Sequence, residues 1–305
     1  MKPKFVKIVE VGPRDGLQNE AIFIPTKKKI VFINQLSETG LNTIEVTSFV
    51  SPKWIPQLRD QFEVYSGITR KPKLHYPVLI PNVQGLDKAL EAGVSEIAIF
   101  CSASETFSQK NINCSIQESL NRYADVISKA KQKNLWIRAY ISCVIGCPYE
   151  GPIAPENVAK LTEHLIQMGC HEISLGDTIG VGTPNRVLTL IEHINKKAPL
   201  EKLAVHFHDT YGQALANVYA ALERGIAIVD SSISGLGGCP YAKGATGNVA
   251  TEDVLYLLQG LGIETGVDLK ALVRVGRFIS ELLNRETRSK VGRALFNSWD
   301  DHPRN

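Results

Sequence analysis

The strongest chemical signal in the sequence is a pair of histidines two residues apart, His206 and His208. Side chains two apart on a β-strand point to the same face, so both imidazoles would project together. Apolar Val205 and Phe207 would then face the helix layer on the opposite side. Two histidines satisfied by neighbouring carboxylates are the alternative. Because imidazole is a common metal ligand and the pair converges, the pattern favours a metal site.

Oxygen atoms are the expected further ligands, because no cysteine cluster accompanies the two histidines. Asp15 follows the first strand-like run, and Asn248 lies in the loop after the last one. In a closed barrel the first strand lies beside the last, which brings Asp15 near the histidine strand. Two histidines with oxygen ligands suit Mg²⁺ or Mn²⁺ and leave positions for water and substrate, with zinc as the alternative.

Arg14 directly precedes Asp15. On a protein surface, an Arg-Asp dipeptide is an ordinary ion pair. At the end of a central strand, however, a buried guanidinium is costly unless it is paired. If the strand prediction holds, Arg14 is a candidate for holding a substrate anion or an enolate at the barrel mouth.

The segment from Ser234 to Asn248, called the glycine-rich segment below, contains five glycines in fifteen residues. Glycine allows close backbone approach to a ligand, although a plain long turn has the same composition. A glycine-rich loop after the eighth strand is also typical of phosphate cradles in barrels. Cys239 near its centre offers a further possibility, a thiol on a lid that arrives with the substrate and moves a proton.

Short β-rich runs alternate with longer amphipathic stretches, which indicates parallel strands with helical crossovers. Strands are predicted near residues 5–11, 42–47, 75–80, 95–100, 135–141, 171–175, 203–207 and 228–233. Helices are predicted at 26–39, 83–92, 115–132, 155–168, 184–196 and 212–224, with more over 250–290. A doubly wound sheet is the alternative, but Gly12–Gly16 lacks the Gly-x-Gly-x-x-Gly spacing of a dinucleotide-binding turn.

We therefore expect an α/β protein, a (β/α)₈ TIM barrel with a short C-terminal helical extension. The catalytic domain would span residues 1–290, and residues 291–305 would form a polar tail. Polar residues recur at the carboxyl ends of the predicted strands, where barrel enzymes have their active sites. They are Arg14, Asp15, Glu45, Thr47, Arg138, Tyr140, Asp177, Thr178, His206, His208 and Asp209.

The composition excludes several classes of partner. With 34 basic and 31 acidic residues, the net charge of +3 gives no argument for nucleic acid or a membrane surface. Six cysteines form no disulfide framework or zinc pattern, which is typical of a reducing compartment. No stretch has the roughly eighteen apolar residues of a membrane helix. No signal-like leader is present either, so we expect a cytoplasmic protein.

Several segments resemble the 3-hydroxy-3-methylglutaryl-CoA lyase family. They are Val9 to Glu20 (VEVGPRDGLQNE), Glu45 to Trp54 (EVTSFVSPKW), Ser174 to Gly180 (SLGDTIG), Val205 to Asn217 (VHFHDTYGQALAN) and the glycine-rich segment. The similarity covers about residues 4–290, and GLGGCPY is close to diagnostic within the wider superfamily. That superfamily also contains 2-isopropylmalate, homocitrate and citramalate synthases, which differ in the loop that carries Cys239 here.

The resemblance implies that Asp15, His206, His208 and Asn248 hold a divalent cation. Arg14 would face the thioester carbonyl, and Cys239 would take part in proton transfer from a lid loop. The family uses the positions matching Glu45, Asp177 and Glu252 near its site. Further substrate contacts implied by the resemblance are Gln18, Asn111, Arg138, Tyr140, Ser174 and Thr178.

The implied reaction is metal-dependent cleavage of 3-hydroxy-3-methylglutaryl-CoA to acetoacetate and acetyl-CoA, as in leucine degradation and ketone-body formation. The general base stays open among Asp15, Asp177, His206 and a water on the cation. A Claisen-condensing synthase and a non-catalytic CoA-binding protein are the alternatives, and the resemblance also suggests a homodimer. No cysteine follows Cys239, so the C-terminal cysteine of the family's animal mitochondrial members has no counterpart here.

Overall fold

The computed structural model describes residues 2–238 and 247–300, in which strands and helices alternate. The strands are β1 (Lys7–Glu10), β2 (Thr43–Ile44), β3 (Val78–Leu79), β4 (Glu96–Ser102), β5 (Trp136–Ser142), β6 (Gly146–Cys147), β7 (Gly151–Pro152), β8 (Glu172–Asp177), β9 (Leu203–Phe207) and β10 (Ile228–Ser231). All but β6 and β7 form one parallel sheet in the order β2-β1-β10-β9-β8-β5-β4-β3. Strands β6 and β7 form a separate antiparallel hairpin.

The two edges of this sheet meet. Parallel bridges join Thr43 to His75 and Ser48 to Leu79, and the Leu79 amide donates to the carbonyl of Thr47 at 3.0 Å. These contacts link the β2 segment to the β3 segment and curl the sheet into a barrel. The eight predicted strands and the parallel barrel architecture are therefore confirmed. Four barrel strands, β1, β2, β3 and β10, are shorter than predicted, because regular pairing with the neighbouring strands extends over only part of each predicted segment.

The helices surround the sheet. They are α1 (Thr26–Leu36), α2 (Gln61–Gly67), α3 (Val83–Glu91), α4 (Glu105–Ile112), α5 (Ile116–Gln132), α6 (Pro155–Met168), α7 (Pro184–Asn195), α8 (Ala214–Glu223), α9 (Thr251–Gly260), α10 (Leu269–Leu282) and α11 (Lys290–Asp300). The short helices α2 and α4 were not predicted. Helix α4 begins at a local cap, because the Ser104 hydroxyl accepts from the Phe107 amide at 3.1 Å.

Helix α11 occupies most of the segment that the sequence assigned to a polar tail. Its start is held by Asp253, whose carboxylate accepts from the Val291 amide at 2.8 Å and the Ser289 hydroxyl at 2.7 Å. Such a cap satisfies amides that a helix start leaves free. Because Asp253 lies more than thirty residues earlier in the chain, the local sequence does not reveal it.

The main apolar core lies between the barrel and the helices. Alternation along each strand sends residues such as Ile8, Ile173 and Val205 into this layer, where they are fully buried. The opposite face of each strand points into the barrel, where polar and charged side chains accompany two small apolar clusters. Among the described residues, no helix is long and apolar enough to cross a membrane.

Candidate active site

Three potential metal ligands converge at the carboxyl end of the barrel. The ligand atoms of Asp15, His206 and His208 all lie within 4.8 Å of one another. His206 is on β9 and His208 directly follows that strand, while Asp15 lies in a five-residue turn, Gly12–Gly16, after β1. The predicted convergence of the two imidazoles is observed, with ring centroids 5.5 Å apart.

The donor set fits a divalent cation. It combines two imidazoles with a carboxylate, which are ligand types that Mg²⁺, Mn²⁺ and Zn²⁺ accept. Both histidines are only 8% exposed, and Nδ1 of His208 is buried with no hydrogen-bond partner in the part of the chain that the structure describes. A buried polar atom without a partner is costly, so an ion near this ring would satisfy an otherwise unmet requirement.

Asn248 borders the same group from the glycine-rich segment. Its side-chain amide donates to Asp15 Oδ2 at 2.7 Å and to the carbonyl of Leu236 at 3.2 Å. A backbone bridge also joins Asn248 to His208. The amide nitrogen therefore faces Asp15, and Oδ1 is the atom of this amide whose lone pairs an ion could use.

Arg14 lies beside the cluster in a buried, ion-paired position. Its Nε donates to Glu45 and its Nη1 donates to Asp15, both at 2.7 Å. The guanidinium also packs over the Tyr140 ring, 5.3 Å from the ring centroid. These contacts meet the condition set out from the sequence, that a buried arginine at a strand end must be paired.

The charges around Arg14 determine which acids are ionised. Burial alone would raise the pKa of Asp15, but Arg14 and His206 outweigh it, and that pKa falls to about 2. Burial dominates at Glu45, and its pKa is raised despite the contact with Arg14. Asp15 is therefore a carboxylate at neutral pH, as a metal ligand must be.

The two histidines differ in their surroundings. Burial lowers the pKa of His208 to about 4, and the neighbouring His206 adds to this effect. At His206, burial acts in the same direction, but Asp230 and Asp15 outweigh it and raise the pKa. His206 Nδ1 lies 3.2 Å from Asp230 Oδ2, whereas its Nε2 lies 3.9 Å from Asp15 Oδ2.

Below the cluster, a charged network fills the barrel interior. The Arg138 guanidinium is 1% exposed and donates to Glu172, Asp230 and the hydroxyl of Tyr140. Ser174 donates to Asp230 at 2.7 Å. Arg138, Tyr140 and Ser174 were predicted substrate contacts. Of these, Tyr140 touches the site residues themselves, with its ring edge-on to His206 at 5.9 Å.

Asp177 and Thr178 lie at the end of β8 but do not join the cluster. Asp177 is on the same face of β8 as Leu175, which packs in the helix-facing core. Its Oδ2 accepts from the Gly182 amide at 2.7 Å, and Thr178 Oγ1 accepts from the Cys143 amide at 2.9 Å. Burial raises the pKa of Asp177 to about 6. Both side chains are thus hydrogen-bonded to neighbouring loops. None of these contacts is with the cluster, so they do not support the catalytic role predicted for Asp177 or the substrate contact predicted for Thr178.

The remaining predicted residues lie near the barrel mouth or outside the described ranges. Gln18 follows the Arg14 turn and is half-buried, with Oε1 lacking a partner among the described residues. Asn111 is exposed on α4, which follows β4. Glu252 is buried at the start of α9, where both carboxylate oxygens accept from the Ser234 amide at 3.0 Å. Cys239 lies outside the described residues.

Three buried acids on barrel strands were missed by the sequence reasoning. They are Asp230 and Glu172 in the barrel interior and Glu10, whose oxygens accept from the amides of Gly12 and Ile233 and from the Thr251 hydroxyl. A signal was present, because each acid lies in a predicted strand that also carries buried apolar residues. A charge in such a strand requires a buried partner, which single-strand patterns do not identify.

Comparison with known proteins agrees with this geometry. The HMGL-like family model matches residues 5–279. The chain is 59% identical over 294 residues to the cytoplasmic 3-hydroxy-3-methylglutaryl-CoA lyase of Rattus norvegicus, covering 96% of this chain and 86% of that protein. Other relatives are named as mitochondrial forms.

Solved structures give the same result. The hydroxymethylglutaryl-CoA lyase of Pseudomonas aeruginosa superposes with a TM-score of 0.96 at 56% identity, covering 97% of this chain and 99% of that one. An HMG-CoA lyase of Acinetobacter baumannii, solved with coenzyme A and 3-methylmalate, gives a TM-score of 0.92 at 40% identity, with coverage of 99% and 98%. A family model over most of the sequence and these extended identities lead to one conclusion: the chain belongs to the HMGL-like family.

Proposed function

We propose that this protein is a divalent-metal-dependent lyase that cleaves 3-hydroxy-3-methylglutaryl-CoA to acetoacetate and acetyl-CoA. The observation that carries the proposal is the convergence of Asp15, His206 and His208 beside the paired Arg14. Relatives that are 59% and 56% identical to nearly the whole chain are named for this activity. The reaction breaks the C2–C3 bond of a tertiary alcohol, with loss of the hydroxyl proton and formation of a thioester enolate.

The cation would be held by Asp15, His206, His208 and Oδ1 of Asn248. Nitrogen and oxygen donors of this kind suit Mg²⁺ or Mn²⁺, and we favour these ions over zinc because no thiolate is among the ligand atoms of the described residues. When bound, such a cation supplies Lewis-acid chemistry that lowers the pKa of a substrate hydroxyl.

Arg14 would act on the thioester half of the substrate. Glu45 and Asp15 hold its guanidinium from two sides, so its orientation is fixed before the substrate arrives. A fixed cation beside the thioester oxygen stabilises the negative charge that develops there as the carbon–carbon bond breaks. The Tyr140 ring, which lies under Arg14 and beside His206, would form part of the surface that faces the thioester.

Asp15 stays as the side-chain candidate for the base that removes the hydroxyl proton. His206 would have no free lone pair once Nε2 faces the cation and Nδ1 donates to Asp230, and Asp177 is directed away from the cluster towards Gly182. We propose Cys239 as the acid that returns a proton to the enolate carbon, because the family resemblance gives this thiol a proton-transfer role. Glu252 would support the start of the glycine-rich segment through the Ser234 amide.

The substrate would be an acyl-CoA, as indicated by the coenzyme A bound in the related Acinetobacter enzyme. Gln18, whose buried Oε1 has no partner among the described residues, and exposed Asn111 are candidate contacts at the mouth. Arg138, Ser174 and Thr178 would support substrate binding indirectly. Arg138 and Ser174 donate hydrogen bonds to Asp230, and Thr178 accepts one from the Cys143 amide. We also propose a cytoplasmic homodimer with neither nucleic acid nor membrane as partner.

We further propose that residues 1–290 form the catalytic domain and that helix α10 is its C-terminal extension, because α9 follows the eighth barrel strand and completes the (β/α)₈ unit. Residues 291–305 would then be dispensable for catalysis. The eight-stranded parallel sheet and the HMGL-like match, which ends at residue 279, support this division.

The test is an assay for acetoacetate from 3-hydroxy-3-methylglutaryl-CoA after chelation of the protein, with and without added Mg²⁺ or Mn²⁺. We expect no product after chelation and restoration by either ion. A parallel incubation with 2-oxo acids and acetyl-CoA should release no free thiol, which a condensing synthase would release. Product formation that is insensitive to chelation would contradict the metal site, and absence of product under all conditions would contradict the reaction.

A further inference from the structure

Asp230 connects the barrel interior to the candidate metal ligands. It lies on β10 as the direct register partner of His206 on β9. It is 2% exposed, so no bulk solvent competes for its oxygens. Neither the histidine motif nor the family comparison assigns it a role.

Three donors from three strands fix the Asp230 carboxylate. Arg138 on β5 donates to Oδ1, whereas Ser174 on β8 donates to Oδ2 at 2.7 Å. The ion pair with Arg138 keeps this carboxylate charged, and an ionised carboxylate can only accept hydrogen bonds. His206 Nδ1, at 3.2 Å from Oδ2, must therefore be the donor.

The other ring nitrogen of His206 then has a defined state. In a neutral imidazole only one nitrogen carries the proton, so Nδ1–H leaves a lone pair on Nε2. That nitrogen faces the cluster, 3.9 Å from Asp15 Oδ2. His208 lacks such a constraint, because its Nδ1 has no partner within the described residues.

We propose that Asp230 is a positioning residue, which fixes His206 in the Nδ1–H tautomer and presents Nε2 to the cation. This inference rests on the proposed metal-dependent function. Carboxylates behind ligating histidines fix ring orientation and tautomer in metal proteins generally. Here the carboxylate is itself held by Arg138, so the rigid interior of the barrel sets the geometry of the site.

The first test measures Mn²⁺ affinity by electron paramagnetic resonance. We expect Asp230→Asn to bind Mn²⁺ about 10–100-fold more weakly than the wild-type protein, the usual cost of losing such a partner. Glu172→Gln is the matched control, because it removes an equally buried partner of Arg138 that does not contact His206. We expect its affinity to stay close to wild type. Equal losses in the two variants, or full affinity in Asp230→Asn, would overturn the proposal.

The second test determines the tautomer in the wild-type protein itself. Two-bond ¹H–¹⁵N spectra of the metal-free wild-type protein, labelled at histidine, distinguish the tautomers in mildly alkaline buffer. His206, assigned through His206→Ala, should be the Nδ1–H form. In Asp230→Asn the amide NH₂ can turn towards the ring and should favour the Nε2–H form.

The two readouts separate this inference from the proposed function. A wild-type protein that binds no Mn²⁺ contradicts the function, while the tautomer still tests the contact with Asp230. A wild-type protein that binds Mn²⁺ but holds His206 as the Nε2–H form overturns the role of Asp230 alone.

Discussion

Two groups of buried acids in this protein have opposite electrostatic surroundings. In the barrel interior, Asp230 and Glu172 share the guanidinium of Arg138. At the base of the glycine-rich segment, Glu10 and Glu252 accept hydrogen bonds from backbone amides and hydroxyl groups, and none of the contacts described for them is with a cation. Burial is nearly complete at all four.

The pKa of Asp230 and the pKa values of Glu10 and Glu252 shift in opposite directions. Burial would raise the pKa of Asp230, but Arg138 and His206 outweigh it and hold that pKa well below its usual range. At Glu10 and Glu252 burial prevails, raising their pKa values to about 7 and about 8. Burial alone therefore does not determine the direction in which the pKa of an acid shifts, because the charges beside the acid also contribute.

The largest expected effect comes from removing the shared cation. Arg138→Met leaves Asp230 without its cation and Glu172 with Lys7 as its remaining partner, and we expect the free energy of unfolding to fall by about 3–5 kcal/mol. Urea unfolding measures this change. Lys197→Met, which breaks an exposed pair with Glu163, should have little effect. Equal losses of stability in both variants would contradict the larger contribution expected from the buried ion pairs of Arg138.

Arg14→Met removes a cation of the same kind at the barrel mouth, where the effect should appear in catalysis. The loss of one preorganised charge costs about 3–4 kcal/mol of transition-state stabilisation, or roughly 10²–10³ in kcat. Steady-state kinetics on folded protein measures it. Arg70→Met, which removes an exposed arginine that donates to the Gly93 carbonyl, should leave kcat unchanged. A near-normal kcat in Arg14→Met would remove Arg14 from the mechanism.

Glu10 and Glu252, which have no cation among the contacts described for them, should make the stability of the protein depend on pH. Glu10 and Glu252 have an ordinary pKa near 4.5 in the unfolded chain and raised values in the folded protein, so the folded state binds more protons. Their contribution is fully present below the unfolded pKa and is lost as the pH rises through about 7 and about 8.

Wild-type stability should therefore fall by a few kcal/mol from about pH 5 to about pH 9, since each pKa unit corresponds to about 1.4 kcal/mol. Glu252→Gln cannot ionise and should show a shallower slope. Glu163→Gln, at an exposed position, should keep the wild-type slope. Parallel slopes for all three proteins would show that Glu252 is charged throughout.

The smallest effect is expected from Thr251→Val, which removes the hydroxyl that donates to Glu10 at 2.7 Å. The loss should be about 1 kcal/mol in acid and larger in alkaline buffer, where Glu10 is ionised. Thr162→Val removes a buried hydroxyl that donates to the Val158 carbonyl, and its cost should not depend on pH. Thermal unfolding at two pH values compares them. A pH-independent loss in Thr251→Val would argue that Glu10 stays neutral.

Much of the fold was predictable, because strand alternation and helical periodicity are local properties of the sequence. The positions of His206 and His208 followed from period-two alternation within β9 alone. The same rule, applied to β8, would have placed Asp177 with Leu175 on the helix-facing side. The alternation of side chains along a strand therefore predicts site residues better than their position at the strand end does.

The buried network was not predictable in the same way. Asp230 meets Arg138 from a strand 92 residues away, and the pairing exists only once the barrel has closed. Local patterns show that an isolated strand acid needs a partner but do not identify that partner. The cap of α11 by Asp253 has the same cause.

One contact has a consequence for biosynthesis. Asp15 and Asn248 touch although 233 positions separate them, and the first strand pairs with the last in the closed barrel. A nascent polypeptide still on the ribosome has exposed Asp15 long before Asn248 is translated. We therefore expect incomplete chains to be inert, with the ion and the thioester accepted only after synthesis is nearly finished.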